Sequence, residues 1–313
     1  MSLLVVENPG QLTTVQDLGR EGFGPLGVSP SGAADPVALR LGNLMVGNEA
    51  GAAALEMTIV GGSYTFPTGA GIALAGADFS PTMNGRTLEM WIPHALNPGA
   101  TVQLGATRAG ARCYLCIAGG IQVDSFLGSA STHLLSGLGG FGGRELHKGD
   151  VLQIGLPTKA LWRKKISPGV LHAVKPGKVL RVTDGPQAEW FSEETRQTFL
   201  QSSFRVSEES NRTGLRLEGP ALKPLNEVEM ISEGVPLGAI QITPSGQAII
   251  LFVEQQTTGG YPKIANVIGA DLYSVGQLRP RDEIRFERVS MQEARTLWIA
   301  QQRLLNSGKQ LFA

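Results

Sequence analysis

Four strand-length segments of this 313-residue chain recur in the same order in its two halves, and that repetition constrains the fold more than any other feature. "LLVVENPGQ" (3–11) pairs with "LRVTDGPQ" (180–187), and "ALEMTIVGG" (54–62) with "RLEGPAL" (216–222). "ARCYLCIAGGIQVDSFLGS" (111–129) pairs with "AIILFVEQQTTGGYPKIANVIGA" (248–270), and "GRELHKGDVLQI" (143–154) with "GQLRPRDEIRF" (276–286). An ordered set of matches implies an internal duplication into two similar, mostly β units. The expected domains are residues 1–165 and 175–313. Between them runs a basic linker, "GLPTKALWRKKISPGVLHAVKPGK" (155–178), with three prolines.

The 41 glycines imply many tight turns and favour short strands over long helices. "GRTLEMWI", "ATVQLGA" and "DEIRFERV" have strand patterns. Three helices carry local signals. Asp35 and Pro36 form an N-cap with proline at the first helical position, and Val37, Leu41, Leu44 and Met45 follow as an apolar stripe. Ser192 caps a second helix reaching about Leu200. Ser290 and Glu293 form a capping box for a last helix, whose Met291, Ala294, Leu297, Trp298 and Leu305 predict packing on a barrel. The fold class is mainly β: two packed, partly closed β-barrels with a few covering helices and a C-terminal helix.

Several function classes fall away. Lys plus Arg equals Asp plus Glu at 27 each, which argues against nucleic-acid binding, and no run of like charges reads as a membrane-surface patch. The start, "MSLLVVENPG", lacks a basic leader, and no long apolar run reads as a membrane span, so the expected compartment is the cytoplasm. Cys113 and Cys116 spell C-x-x-C inside an apolar strand pattern, where i and i+3 face opposite sides; neither a redox pair nor a zinc site is expected. His94, His133, His147 and His172 are scattered, so no metal is expected. "GLGGFG" (137–142) fits G-x-G-x-x-G, but a turn and strand pattern comes after it rather than a helix. There is no P-loop, no G-x-S-x-G elbow, and no lysine in the Met-Lys-Met context of a covalent biotin acceptor.

Three polar clusters remain. In "TTVQDLGREGFGPLGVSPSGAAD" (13–35), Asp17 and Arg20 either hold a long loop or, with Ser31, bind a carboxylate or phosphate through the Arg20 fork. In "SNRTGLRLEGP" (210–220), Arg212 and Arg216 are either solvated around a hairpin or form an anion clamp. The third cluster, "VEQQTTGGYPKI" (253–264), has more special residues than a plain turn needs. Gly259 and Gly260 can adopt positive φ and present successive N–H groups to an anion, with Thr257, Thr258, Tyr261 and Lys263 beside them.

These segments, with "LRLGNLMVGNEAGAAALEMT", "GSASTHL", "GAIQITPSGQAIIL" and "QTTGGYPKIANVIGADL", resemble the biotin-dependent carboxyltransferase family. That family takes in KipI-antagonist proteins, the second component of allophanate hydrolase and the C subunit of bacterial 5-oxoprolinase, and stand-alone chains of this length look most like the last. The resemblance runs from about residue 3 to 290 and implies two cyclophilin-like β-barrels. It also implies a KipI-like B subunit, a lactam-utilisation-type A subunit, and ATP as co-substrate of the complex. The implied reaction is ATP-driven opening of 5-oxo-L-proline to L-glutamate, by an amidohydrolase active only when assembled. Two alternatives stay open: half of a carboxyltransferase of the urea carboxylase type, and a non-catalytic antagonist of a KipI-like kinase inhibitor. Catalytic roles are expected for Thr257, Gly259, Gly260 and Lys263. Binding of a small anionic substrate is expected for Asp17, Arg20, Ser31, Arg212, Arg216, Gln241 and Tyr261. The chain departs from common members at Thr213, Leu215, Glu254 and Arg281, the last standing where a Pro-Gly turn usually has glycine.

Overall fold

The computed structural model describes residues 2–157, 165–225 and 230–313. They divide into two compact units, the first made of residues 1–20, 31–175 and 304–313 and the second of 21–30 and 176–303. This differs in two places from a single boundary at 165–175. The C-terminal segment groups with the first unit because Ser167 N–H donates to the Leu311 carbonyl (2.8 Å) and Ala313 N–H to that of Lys165 (3.0 Å). Residues 21–30 group with the second. Of the expected linker, residues 158–164 lie outside the described residues.

The first unit contains β1 (Ser2–Asn8), β2 (Thr13–Gln16), β3 (Ala54–Thr58), β4 (Ser63–Phe66), β5 (Ala70–Gly76) and β6 (Thr82–Met83). It continues with β7 (Arg86–Thr87), β8 (Pro93–Leu96), β9 (Ala100–Gln103), β10 (Arg112–Ile117), β11 (Ile121–Gln122) and β12 (Val151–Ile154). They form a seven-stranded sheet, β11-β12-β1-β4-β9-β6-β7, and a five-stranded sheet, β2-β3-β10-β5-β8. One core joins the sheets: Leu4, Val6, Tyr64 and Val102 from the first meet Leu55, Met57, Leu74 and Leu115 from the second. Helix α1 (Pro36–Met45) begins where its cap predicts, with Asp35 Oδ1 accepting the Ala38 N–H at 2.9 Å. A short α2 (Pro168–Ala173) closes the unit's main segment.

Cys113 and Cys116 lie on β10, free and buried. Cys113 belongs to the core between the sheets. Cys116 lies under α1, where a Cβ added to Gly42 would come within 2.6 Å of its sulfur. The strand therefore separates the thiols onto opposite faces, and burial pushes both thiol pKa values up.

The second unit contains β13 (Val179–Asp184), β14 (Phe204–Val206), β15 (Gly214–Glu218), β16 (Glu233–Gly234) and β17 (Ala239–Ile242). β18 (Ala248–Leu251), β19 (Thr258–Gly259), β20 (Lys263–Val267) and β21 (Glu283–Arg288) complete it. Seven strands close a barrel in the order β13-β20-β17-β18-β15-β14-β21, and a parallel β13–β21 seam, with Val179 opposite Arg285, completes the ring. β16 and β19 form a separate two-stranded ribbon. Helix α3 (Glu193–Gln201) starts at Ser192, whose Oγ accepts the Thr195 N–H at 3.1 Å, and places Phe199 on Phe286 with ring centroids 4.5 Å apart. A short helix, α4 (Leu272–Gly276), comes after β20.

The repeated segments occupy matching neighbourhoods. β3 pairs antiparallel with β10, as β15 does with β18. β1 lies beside β12 and β13 beside β21, but the first pair is antiparallel and the second parallel. The last helix, α5 (Met291–Leu305), keeps its capping box, with Glu293 N–H on Ser290 Oγ (3.2 Å) and Ser290 N–H on Glu293 Oε2 (2.8 Å). Its packing differs from the expectation. Met291 and Trp298 are 74% and 44% exposed, and burial is confined to a narrow line ending at Leu305. Gln301 fixes the helix instead through a hydrogen bond to the Ala270 carbonyl (2.9 Å).

Candidate functional site

The expected site residues fall into two sets, one in each unit. In the first unit, Asp17 is saturated by hydrogen bonds from within that unit, most of them from residues 129–131. Its Oδ1 accepts from Ser129 Oγ (2.6 Å), Ser131 Oγ (2.5 Å) and Gly19 N–H (2.7 Å), and its Oδ2 from Ala130 N–H (2.7 Å). The serines of "GSASTHL" thus serve to hold this carboxylate. Arg20 is 2% exposed; its guanidinium donates to the carbonyls of Ser131 and Phe126 (3.3 Å to the latter) and lies 5.4 Å from the Phe126 ring centroid. Ser31 has a left-handed backbone (φ 54) and donates to the Thr132 carbonyl at 2.6 Å. A non-glycine residue in that region is uncommon and persists where surrounding bonds over-determine it. This set makes a rigid loop whose charges are engaged within the chain. The glycines of 137–142 sit in turns, and residues 137, 139, 140 and 142 have positive φ, so no dinucleotide-type helix succeeds them.

In the second unit, Arg212 and Glu254 form an ion pair with side chains 4% and 3% exposed, and Glu254 N–H also donates to the Arg212 carbonyl (2.9 Å). Arg216 lies apart on β15, half-exposed and 3.8 Å from Glu209.

The remaining candidates gather around Lys263. Residue 263 opens β20, and a β-bulge sets its direction. Ile240 of β17 is opposite Ala265, but the next residue, Gln241, is opposite Lys263, leaving Ile264 as the extra residue. A bulge shifts the side-chain alternation by one position and re-aims the side chains on its far side. It makes Lys263 and Gln241 cross-strand neighbours, each 1% exposed. Lys263 Nζ lies 2.6 Å from Glu233 Oε1, whose side chain is 45% exposed on β16. Gln187 joins them. Its Oε1 accepts the Lys263 backbone N–H (3.2 Å) and its Nε2 donates to the same Glu233 Oε1 (2.9 Å). Lys263 first, then Gln187, holds the Glu233 carboxyl below the usual glutamate range. Gly185 permits this approach: a Cβ there would stand 2.2 Å from the Lys263 carbonyl oxygen.

The glycine pair acts differently from the expectation. Neither Gly259 nor Gly260 is among the positive-φ residues, so no left-handed anion nest forms. Gly259 sits in β19 opposite Glu233, and its missing Cβ leaves room for the amides of Gln241 and Gln256, which a Cβ would approach to 2.6 and 2.9 Å. Gly260 is half-buried, Thr257 accepts the Val235 N–H through its carbonyl (3.1 Å), and Thr258 is exposed. Tyr261 is 41% exposed, and its carbonyl accepts from Gln241 Nε2 at 3.5 Å.

The structure thus brings Gly259, Gln241 and Lys263 together and adds two residues that sequence reasoning missed, Gln187 and Glu233. Gln187 lies inside a repeated segment, so a signal existed; Glu233 stands in a stretch with no pattern to mark it. Among the described residues no group of three or more His, Cys, Asp or Glu side chains is placed to hold a metal, and no helix is long and apolar enough to cross a membrane.

The family model for the carboxyltransferase domain, subdomains A and B, matches residues 26–288. The chain is 38% identical over 292 residues to the C subunit of 5-oxoprolinase from Escherichia coli (strain K12), covering 93% of each protein. It is 35% identical over 317 residues to the urea amidolyase of Lachancea kluyveri, covering 93% of this chain and 17% of that protein. Among solved structures, the urea amidolyase of K. lactis superposes with a TM-score of 0.91 at 32% identity, covering 98% of this chain and 20% of that one.

Proposed function

The chain belongs to the carboxyltransferase family of subdomains A and B, and from that premise we propose that it is the C subunit of an ATP-dependent 5-oxoprolinase. The supporting observation is one of length. The chain and the Escherichia coli C subunit match over 93% of both, whereas a urea amidolyase contains the equivalent of this chain in only 17% of its length. In this reading it works in a cytoplasmic complex with a KipI-like B subunit and a lactam-utilisation-type A subunit, and it turns over only in that complex.

The lactam of 5-oxo-L-proline resists water because its amide is resonance-stabilised. Transfer of the γ-phosphoryl group of ATP to the carbonyl oxygen, releasing ADP, removes that resonance. One water adds to the activated carbon, the ring C–N bond breaks to give γ-glutamyl phosphate, and a second water releases phosphate. The chain's contribution is to hold the substrate and place donors near developing negative charge. Lys263 and Gln241 supply a buried ammonium and amide for this, with Thr257, Gly259, Gly260 and Tyr261 forming the surrounding loop. Asp17, Arg20 and Ser31 brace a loop of the first unit, and Arg212 pairs with the buried Glu254 in the second, while Arg216 lies apart from Lys263.

The test is co-expression with the adjacent open reading frames and measurement of glutamate released from 5-oxo-L-proline. ATP-dependent release that needs this chain is the expected result. ATP-independent release, or none from a fully assembled complex, refutes the reading. The likeness to urea amidolyase favours a second reading, half of a biotin-dependent carboxyltransferase. Carboxylation of urea by the same complex in the presence of carboxybiotin is the outcome that would select it.

A further inference from the structure

The Lys263–Glu233 ion pair is lopsided. Its cation is 1% exposed and fixed in the barrel wall, while its anion is 45% exposed on a two-residue ribbon outside the closed barrel. An exposed carboxylate loses little by returning to water. A buried ammonium left without an anion is strongly disfavoured. The donor side is therefore permanent and the acceptor side exchangeable.

The donors are also preorganised. Because the carboxamide oxygen of Gln187 is held by the Lys263 backbone N–H at 3.2 Å, its NH2 group must turn toward the place that Glu233 Oε1 now fills, 2.9 Å away. One ammonium and one amide N–H thus converge on a single carboxylate oxygen from residues tied to each other through the main chain. The missing Cβ of Gly259, the residue opposite Glu233, leaves room for the Gln241 amide, which a Cβ there would approach to 2.6 Å.

We propose that Lys263 and Gln187 form a carboxylate-binding subsite, that Glu233 occupies it in the unliganded chain, and that the carboxylate of a small monocarboxylic acid displaces Glu233. With the function proposed above, on which the choice of acid rests, that acid is 5-oxo-L-proline. Glu233 then acts as an internal competitor that weakens substrate binding and keeps the buried ammonium paired between turnovers.

The test is calorimetric titration of the full-length chain with three probes: acetate, 5-oxo-L-proline and 2-pyrrolidinone, the last being the same lactam without a carboxylate. In Glu233→Gln, acetate and 5-oxo-L-proline bind about tenfold more tightly than in the parent, as expected when a competing state populated to roughly nine-tenths is removed. 2-Pyrrolidinone shows no such gain, and adding Gln187→Leu to Glu233→Gln cancels the gain for both acids. Should Glu233→Gln fail to fold, Glu233→Asp, which draws the carboxylate back by one methylene, gives a smaller tightening in the same direction. Equal affinities of both acids for parent and variants overturn the subsite. If acetate tightens and 5-oxo-L-proline does not, the subsite stands and the substrate reading falls. If the complex opens 5-oxo-L-proline while neither acid distinguishes the variants, the subsite falls and the function stands.

Discussion

Gln187 grips Lys263 twice: its side-chain oxygen accepts the Lys263 N–H at 3.2 Å, and its own backbone N–H donates to the Lys263 carbonyl at 3.3 Å. The pair spans the start of β20 and leaves the lysine side chain as the one part of that residue not held by Gln187. Its freedom of direction is set by the bulge opposite Gln241.

Replacing Lys263 separates function from folding. Lys263→Met keeps the stem's volume and removes the buried charge, and the Glu233 carboxylate it leaves is 45% exposed and loses little by returning to water. Unfolding midpoints are expected to stay within about 1.5 kcal/mol of the parent. Glutamate release by the assembled complex is expected to fall by roughly a hundredfold or more, the scale of losing a preorganised charge donor. A variant that retains more than half the parent rate removes Lys263 from the chemistry.

Arg212→Ala behaves in the opposite way. It deprives a carboxylate that is 3% exposed of its guanidinium partner, which costs about 3–5 kcal/mol. Denaturant unfolding of the isolated chain reads this directly. Activity measurements on Arg212→Ala are then dominated by loss of folded protein, and a stable Arg212→Ala chain with normal unfolding would contradict the assignment of a structural pair.

The pH dependence of stability is carried in part by Asp150. Arg144 donates two hydrogen bonds to it (2.7 and 2.9 Å) and is the main cause holding its carboxyl below the ordinary value of 3.8. A group whose folded pKa is depressed stabilises fully above its unfolded pKa, and the stabilisation fades as pH falls through the folded value. The melting-temperature gap between the parent and Asp150→Asn is therefore full at pH 6, narrows below about pH 4 and closes in stronger acid. A gap that stays constant to pH 2 refutes the linkage.

Gly42 and Cys116 are predicted to couple. Alanine at position 42 improves helix propensity by about 1 kcal/mol. Its Cβ would nonetheless meet the Cys116 sulfur at 2.6 Å and Ala75 Cβ at 3.1 Å. Gly42→Ala is expected to destabilise by about 1–3 kcal/mol in the parent. In a Cys116→Ala background most of that cost disappears, giving a coupling of about 1 kcal/mol or more in a double-mutant cycle. Additive effects would show that the sulfur is not the obstacle.

Features encoded by residues adjacent in sequence were readable in advance. The three helix starts at Asp35, Ser192 and Ser290 are hydrogen bonds between residues three apart, and each forms as its spacing predicts. The strand placing Cys113 and Cys116 on opposite faces follows from a two-residue period. Features set by long-range register were not readable. No composition signals that Ile264 will be the extra residue of a bulge, yet that bulge directs Lys263. Glu233 reaches Lys263 through a ribbon pairing with Gly259, residues 26 positions apart. The exposed Met291 and Trp298 show the converse limit, since a helical stripe states which side is apolar and not how much of it finds a partner. Arg281 lies between these cases. The family resemblance leads one to expect glycine there, and Arg281 adopts φ 71, a conformation that suits glycine.

The seam between β13 and β21 orders events in time. Val179 must find Arg285 in parallel, so the ring cannot shut until its first strand and its last have both left the ribosome. Until then β13 presents an open edge, and the nascent chain carries an unpaired row of amide groups past more than a hundred residues of synthesis. Slow translation through this stretch lengthens that exposure.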